Sequence, residues 1–397
     1  MTKLLKAFSF AAGLTILLAA APRALTAQSD SALFVSKAGQ TLMRVNTDGA
    51  LLAGGVVDVG TIPATGAGVR LMWYPGKSAF RAGKVDSFGS TYWDLGQTGY
   101  GSAAFGENTR ASGDQSFAAG LATTASGGQS VALGNNGTAS ANRAFAFNGT
   151  ASAVGAVAIG SGAQATGDDA LAMGPSSIAG GLASIVLGPS IANGSFGVAI
   201  GLQNSASGNF SVAIGKNART ANRQGSVVLG DGCAGFSSDS VYPTANNQFV
   251  ARGCGGIQFY TAQNLSSGVQ VAAGGGSWSS ISDRNRKEHF QSMTGEDILS
   301  RLRDVPVSSW NYKTQDASIR HIGPMAQDLH AAFGMGESDL LINTVDIDGI
   351  NMAAVKAVAE RTDSLRAENA RLRMQVAGME ARLQRLEAVL SGNTRRQ

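Results

Sequence analysis

Short apolar words recur along the first two thirds of the chain at an almost constant interval. Phe117-Ala118-Ala119, Val131-Ala132-Leu133, Phe145-Ala146-Phe147, Val157-Ala158-Ile159, Leu171-Ala172-Met173, Ile185-Val186-Leu187, Val198-Ala199-Ile200, Val212-Ala213-Ile214 and Val227-Val228-Leu229 each precede a small residue. Those rungs, Gly106, Gly120 and Gly134, fall fourteen apart, and Asn148 keeps the beat. After a slip the ladder resumes at Gly160, Gly174, Gly188, Gly201, Gly215 and Gly230. A second turn word comes about seven residues before many rungs, as in Ala111-Ser112-Gly113, Ala125-Ser126-Gly127, Ala165-Thr166-Gly167 and Ala206-Ser207-Gly208. Two turns and two strands of three to five residues per interval describe one coil of a β-solenoid. With mostly Ala, Val and Ile to bury, one chain has little core per coil, so neighbouring chains are expected to complete it.

The pattern changes after Ser282. An amphipathic stretch covers Gly295 to Arg303, a strand is expected around Val307 to Tyr312 and another over Val345 to Asn351, and from Met352 the chain reads as helix. The last part carries heptads. Leu365, Leu372, Met379 and Leu386 take d positions, while Thr362, Asn369, Val376, Leu383 and Leu390 take a positions. In a parallel in-register bundle, Glu368 then meets Arg373 and Arg382 meets Glu387, with Arg361 and Arg366 the one mismatch. A parallel coiled coil follows, and Asn369 holds its register.

Composition supports the same boundary. Of 53 glycines, 46 precede Ser282, whereas the last 116 residues hold 16 basic and 16 acidic residues. The net charge of +4 therefore comes from the glycine-rich part and the N-terminus, spread thinly, with no basic stripe to track a phosphate backbone, and nucleic acid is not an expected partner. Gly76-Lys77-Ser78 is no phosphate loop, since Leu71 stands where the leading glycine belongs. Three scattered histidines and two cysteines make no metal set, and no cofactor is expected.

Residues 1–27 read as a secretory leader: Lys3 and Lys6, an apolar run from Ala7 to Ala21, then small residues up to Ala27. Export to the cell surface or medium is the expectation, with no membrane span in the mature chain. In that compartment Cys233 and Cys254 either pair across a loop or stay as buried thiols. Residues 28–99, with Trp73, Tyr74, Phe80, Tyr92 and Trp93, are expected to form a small β cap whose core holds these rings.

The spacing and words of residues 100–232 closely resemble the head repeats of trimeric autotransporter adhesins, the YadA-like heads. The resemblance implies a left-handed parallel β-roll trimer that binds a host, matrix or glycan surface. The chain departs from those adhesins in lacking their C-terminal membrane barrel. Further on, Ser282-Asp283-Arg284-Asn285-Arg286-Lys287, Trp310-Asn311-Tyr312, His321 to Asp328 and the terminal heptads resemble the intramolecular chaperone of phage endosialidases and tail spikes, a self-cleaving serine peptidase family. This resemblance implies trimerisation of a precursor, folding of the fibre upstream, and release of the chaperone by cleavage between Ile281 and Ser282. Ser282 is then the nucleophile and Lys287 its base.

A serine hydroxyl needs a neighbour to take its proton, and a lysine does so only when its amine is neutral, which burial or nearby cations such as Arg284 and Arg286 would favour. Five residues along one helix would set the two side chains about 140° apart, so this segment must run as a turn or irregular loop. Asp283 and His321 are the candidate supporting residues, Asp283 as a cap of the following turn and His321 as a hydrogen-bonding neighbour or a structural residue. His289 and His330 have weaker claims.

The expected plan is mainly β: a leader (1–27), a β cap (28–99), a trimeric parallel β-roll head (100–232), a β connector (233–276), a small α+β self-processing chaperone (277–350) and a helix with a parallel coiled coil (351–392). Two other readings remain open. One is an enzyme acting on an external polysaccharide, which needs paired carboxylates, where the head offers only Glu107, Asp114 and the adjacent Asp168 and Asp169. The other is a fibre whose C-terminal module trimerises without cutting.

Overall fold

The computed structural model describes residues 15–16, 31–233 and 239–394 and divides at Gly255 into two units. Of the expected leader only Thr15–Ile16 is described, as a short strand pairing antiparallel with Val35 and Ser36; the rest of residues 1–27 lies outside the described residues. Strands Ser31–Lys37, Gln40–Asn46 and Leu51–Ala53 complete that antiparallel sheet.

From Ala103 to Gly230 the first unit is a parallel β-solenoid. One wall is a 13-stranded sheet, built on the apolar words, and the other an 8-stranded sheet of the short strands Arg110–Ala111 to Ser205–Ala206. The second strand of each coil is shorter than the sequence suggests, two residues, because the turns on both sides of it consume the rest. Register is strict: Ala104, Ala118, Ala132, Ala146, Ala158 and Ala172 lie side by side on the inner face of one wall, and Ala111, Ala125, Ala139, Ala151 and Ala165 on the other. All are fully buried and form one cluster in which Val186 and Val228 are the largest members. Alternation along each strand turns the flanking Val, Ile, Leu and Phe outward.

The rung glycines have a steric reason. Gly106 has φ +112°, and a Cβ there would lie 2.1 Å from the carbonyl oxygen of Gly120 in the next coil. Asn148 keeps the beat in left-handed conformation, φ 54°, and its Oδ1 accepts from Asn135 N–H at 2.6 Å. Here the slip in the repeat is absorbed by the turn, since Phe145 still pairs with Val157.

An antiparallel hairpin, Gly68–Tyr74 with Ala79–Val85, joins the end of the 13-stranded sheet. Trp93 and Tyr74 are buried; Trp73, Phe80 and Tyr92 are half-buried. Arg81 takes the inner-row position beside Ala104 and is fully buried. Its guanidinium donates to Ser102 O at 3.1 Å, Ser102 Oγ at 2.9 Å and Ala111 O at 3.0 Å, reaching the opposite wall. Burial lowers its pKa to about 10, so it remains a cation. With Trp93 Nε1 donating to Thr109 O at 2.8 Å, it closes the first coil with polar bonds where the hairpin meets it.

The second unit begins with a three-stranded antiparallel sheet (Ile257–Tyr260, Gly268–Val271, Ser279–Ser280), followed by helix α1 (Gly295–Arg303), a two-stranded pair (Ser308–Trp310 with His321–Gly323), α2 (Ala326–Phe333) and α3 (Thr344–Thr394). Ile298, Val305, Leu329, Phe333 and Ile350 form its core. The strand expected over Val345 to Asn351 is instead the first turns of α3. Asn343 Oδ1 accepts from Val345 N–H at 3.0 Å, and Ile347, Ile350 and Ala354 fall on one helical face against that core. The Val-Asp-Ile-Asp alternation imitates a strand, but burial follows the helical period. No helix among the described residues is long and apolar enough to cross a membrane.

Replacing Arg81 by Met should lower the unfolding free energy of the first unit by about 2–3 kcal/mol, because Ser102 and Ala111 lose charge-assisted donors. Chemical denaturation of the full-length variant beside wild type checks this.

Candidate functional site

The residues from Ser279 to Lys287 form one local construction. Ser279 and Ser280 pair with Gln270 and Val269 as an edge strand, and Ile281 N–H donates to Gly268 O at 3.1 Å. Ser282 follows in irregular chain. Asp283 then caps a single 3-10 turn, Arg284–Arg286, its Oδ1 accepting from Asn285 N–H at 2.9 Å and from Asn285 Nδ2 at 3.2 Å. Lys287 returns to extended backbone, φ −124°, with its N–H on Arg284 O. One tight turn between two extended residues brings the side chains back together, and Lys287 Nζ donates to Ser282 Oγ at 2.7 Å.

The arginines do not face this pair. Arg284 lies 5.1 Å over the ring of Phe290, and Arg286 Nη1 donates to Leu265 O at 2.9 Å while its Nε stands 3.8 Å from Asp283 Oδ2. Ser282 and Lys287 are both exposed in the single chain. The single chain therefore holds the geometry of a Ser–Lys pair in an exposed setting, without the dry surroundings in which an amine serves as a base.

His321 is not brought to this pair. Its Nε2 is 2.9 Å from Gln315 Oε1, and its ring packs on Trp310 and Tyr312. His289 lies 3.6 Å from Glu288, and His330 Nδ1 is 2.9 Å from Met335 O. Asn369 Nδ2 donates to Leu365 O one turn back on α3. The two arginines mismatched in the heptad scheme each find an acid within the chain: Arg361 pairs with Glu296 at 2.6 Å and Arg366 with Asp363 at 3.3 Å.

Glu107 is neutralised by Lys84 at 2.8 Å, whereas Asp114 and Asp168 accept turn N–H groups of Tyr100 and Val154, and Asp169 sits in a left-handed turn position. None of these acids is arranged with another across a cleft for glycoside chemistry.

Cys233 and Cys254 form a disulfide, with 6.4 Å between their Cα atoms. Asp231 stands beside both sulfurs at a spacing that suits a metal ion, but joined to each other the sulfurs have no thiolate to give. Instead Asp231 accepts from Cys254 N–H at 2.6 Å and Arg252 Nε at 2.7 Å. These bonds, the Cys254 N–H foremost, hold its carboxyl below the usual range. Sequence reasoning singled out the cysteines and missed this Asp–Arg fastening, since nothing local links residues so far apart.

Five stretches, 98–123, 125–147, 151–177, 165–190 and 192–218, match the YadA head domain repeat, and residues 282–335 match the chaperone of endosialidase, a peptidase family. The head repeats and the solenoid coincide, and the chaperone match starts at Ser282. No curated protein matches the chain.

Because the carboxyl of Asp231 is held below its ordinary 3.8, its stabilising effect is full above about pH 4 and disappears as pH falls through the lowered value. Asp231→Asn should therefore be less stable than wild type at pH 7, and the gap should narrow as pH falls below 4. Urea titrations at pH 7, 4 and 3 test this.

Proposed function

We propose that this chain is an exported, homotrimeric, adhesin-like fibre whose C-terminal module drives trimer folding and then cuts itself off between Ile281 and Ser282. The observation that carries the reading is the 2.7 Å contact from Lys287 Nζ to Ser282 Oγ at the first residues of the segment matching the chaperone family. The head's matches to a repeat of surface adhesins support a role at the cell surface or outside it, binding a host, matrix or glycan ligand. Residues 1–27 would direct export.

Two apolar surfaces support three chains rather than one. The outer face of the 13-stranded sheet carries continuous columns, among them Phe105, Leu133, Phe147, Ile159 and Met173, which extend through Leu71 into the hairpin. Leu71 is 74 % exposed and Phe147 43 %. On α3 the heptad residues Leu365, Leu372, Val376, Met379, Leu383, Leu386 and Leu390 are all exposed. Such contiguous stripes are covered in a stable protein, and identical chains cover both at once.

The chemistry follows from the pair. Once the module is packed among its copies, a neutral Lys287 amine takes the Ser282 Oγ proton. The oxygen attacks the Ile281 carbonyl carbon, and the bond from that carbon to the Ser282 nitrogen breaks as the nitrogen takes a proton back from the Lys287 ammonium. Water then hydrolyses the resulting ester, leaving Ile281 as a carboxylate and Ser282 as a new N-terminus with a free hydroxyl. One water is consumed in all. Dependence on burial makes cleavage wait for assembly.

Intact mass of the wild type should reveal a C-terminal fragment of about 13 kDa, at about 110 Da for each of the 116 residues from Ser282, whereas Ser282→Ala and Lys287→Ala stay whole. Full-length wild-type trimers would instead establish a trimerisation foot without peptidase activity. Leu372→Asp places a charge in the heptad stripe, and sedimentation should then show loss of the trimer and, in the same sample, of cleavage.

A further inference from the structure

The chaperone match begins at Ser282, yet the peptide bond to be cut is held from upstream. Strands Ile257–Tyr260 and Gly268–Val271 form a hairpin onto which Ser279 and Ser280 add as an edge strand, and the last bond of that ladder is from Ile281 N–H to Gly268 O. Peptidases commonly take their substrates as an extended strand added to a sheet. The Ser282 side of the bond is tied to the same hairpin, because Arg286 Nη1 donates to Leu265 O in its loop. The approach is tight: a Cβ on Gly268 would lie 2.1 Å from Phe259 O, so only glycine lets the two hairpin strands close there.

We infer that the 257–271 hairpin is the substrate holder of the processing site and that Arg286 is its positioning residue, fastening the turn that carries Lys287 to the same hairpin on which the Ile281 strand lies. This rests on the self-cleavage reading above. The hairpin lies on the fibre side of the cut and the Ser–Lys pair on the other, so one cleavage separates holder from chemistry and the released piece has no holder with which to act again. The structural division at Gly255, ahead of the hairpin, fits a processing unit that spans its own cut.

In the full-length chain, Gly268→Ala and Arg286→Gln should each slow release of the C-terminal fragment about tenfold or more, with trimers intact by sedimentation. Arg286→Lys, which still offers a donor to Leu265 O, should recover much of the rate, as a loss of fold would not. Wild-type rates in both Gly268→Ala and Arg286→Gln would overturn the inference. Should Gly268→Ala fail to assemble, Arg286→Gln, which leaves the hairpin untouched, decides. If the wild type itself does not cleave, the functional reading fails on its own, and amide exchange in Ser282→Ala then tests the holder. A protected Ile281 amide that loses protection on adding Gly268→Ala supports it; equal exchange in the two overturns it.

Discussion

Two facing rows of methyl groups set the thickness of the solenoid, and most other features of the chain follow from that narrowness. An inner wall lined by alanine leaves each coil with little to bury. The larger residues of every apolar word are turned to the outside, where a single chain leaves them to water. A coil of this kind has a regular backbone ladder but a small hydrophobic contribution per residue. Its stability therefore depends on surfaces it does not itself cover.

That dependence gives a physical reason for a folding module at the far end. A parallel solenoid forms by stacking coils, and its apolar outer columns are exposed until neighbours arrive, the condition under which chains aggregate. Heptads on α3 offer a stronger local route to bring chains together, since a helix forms from contacts close in sequence. The end coil faces a different difficulty, because what stacks on it is an antiparallel hairpin and not another coil. Arg81 meets it by carrying a cation into the inner row and spreading its donors over both walls.

The Ser282–Lys287 segment uses the same economy of local geometry. One 3-10 turn, capped by Asp283, is enough to return Lys287 to Ser282, and a short hairpin holds the preceding residues extended. What the single chain withholds is dryness: both side chains face water, and the nearby arginines are committed to Phe290 and to Leu265 O. Under the proposed self-cleavage, a pair that is aligned but wet would act only after assembly, with timing set by solvation rather than by a moving part.

Much of the architecture was legible in the residues alone, because a solenoid is a periodic object. The interval of the apolar words determined the coil, the small rungs the turns, the change in charge density the boundary, and the heptads the terminal helix. Ser282 and Lys287 stood out only through the order of neighbouring words, since their spacing by itself says nothing. The tertiary structure decided whatever depends on residues distant in sequence. Val345 to Asn351 alternates like a strand, yet Leu329 and Phe333 lie where a helical face buries Ile347 and Ile350, and the helix prevails. Arg81 reads as an ordinary polar residue of a hairpin until the opposite wall supplies Ala111 O. The closing of the 257–271 hairpin on the strand before Ser282, and of Asp231 on Arg252 and Cys254 N–H, likewise has no local signal, because each is fixed by where the chain returns rather than by its repeat.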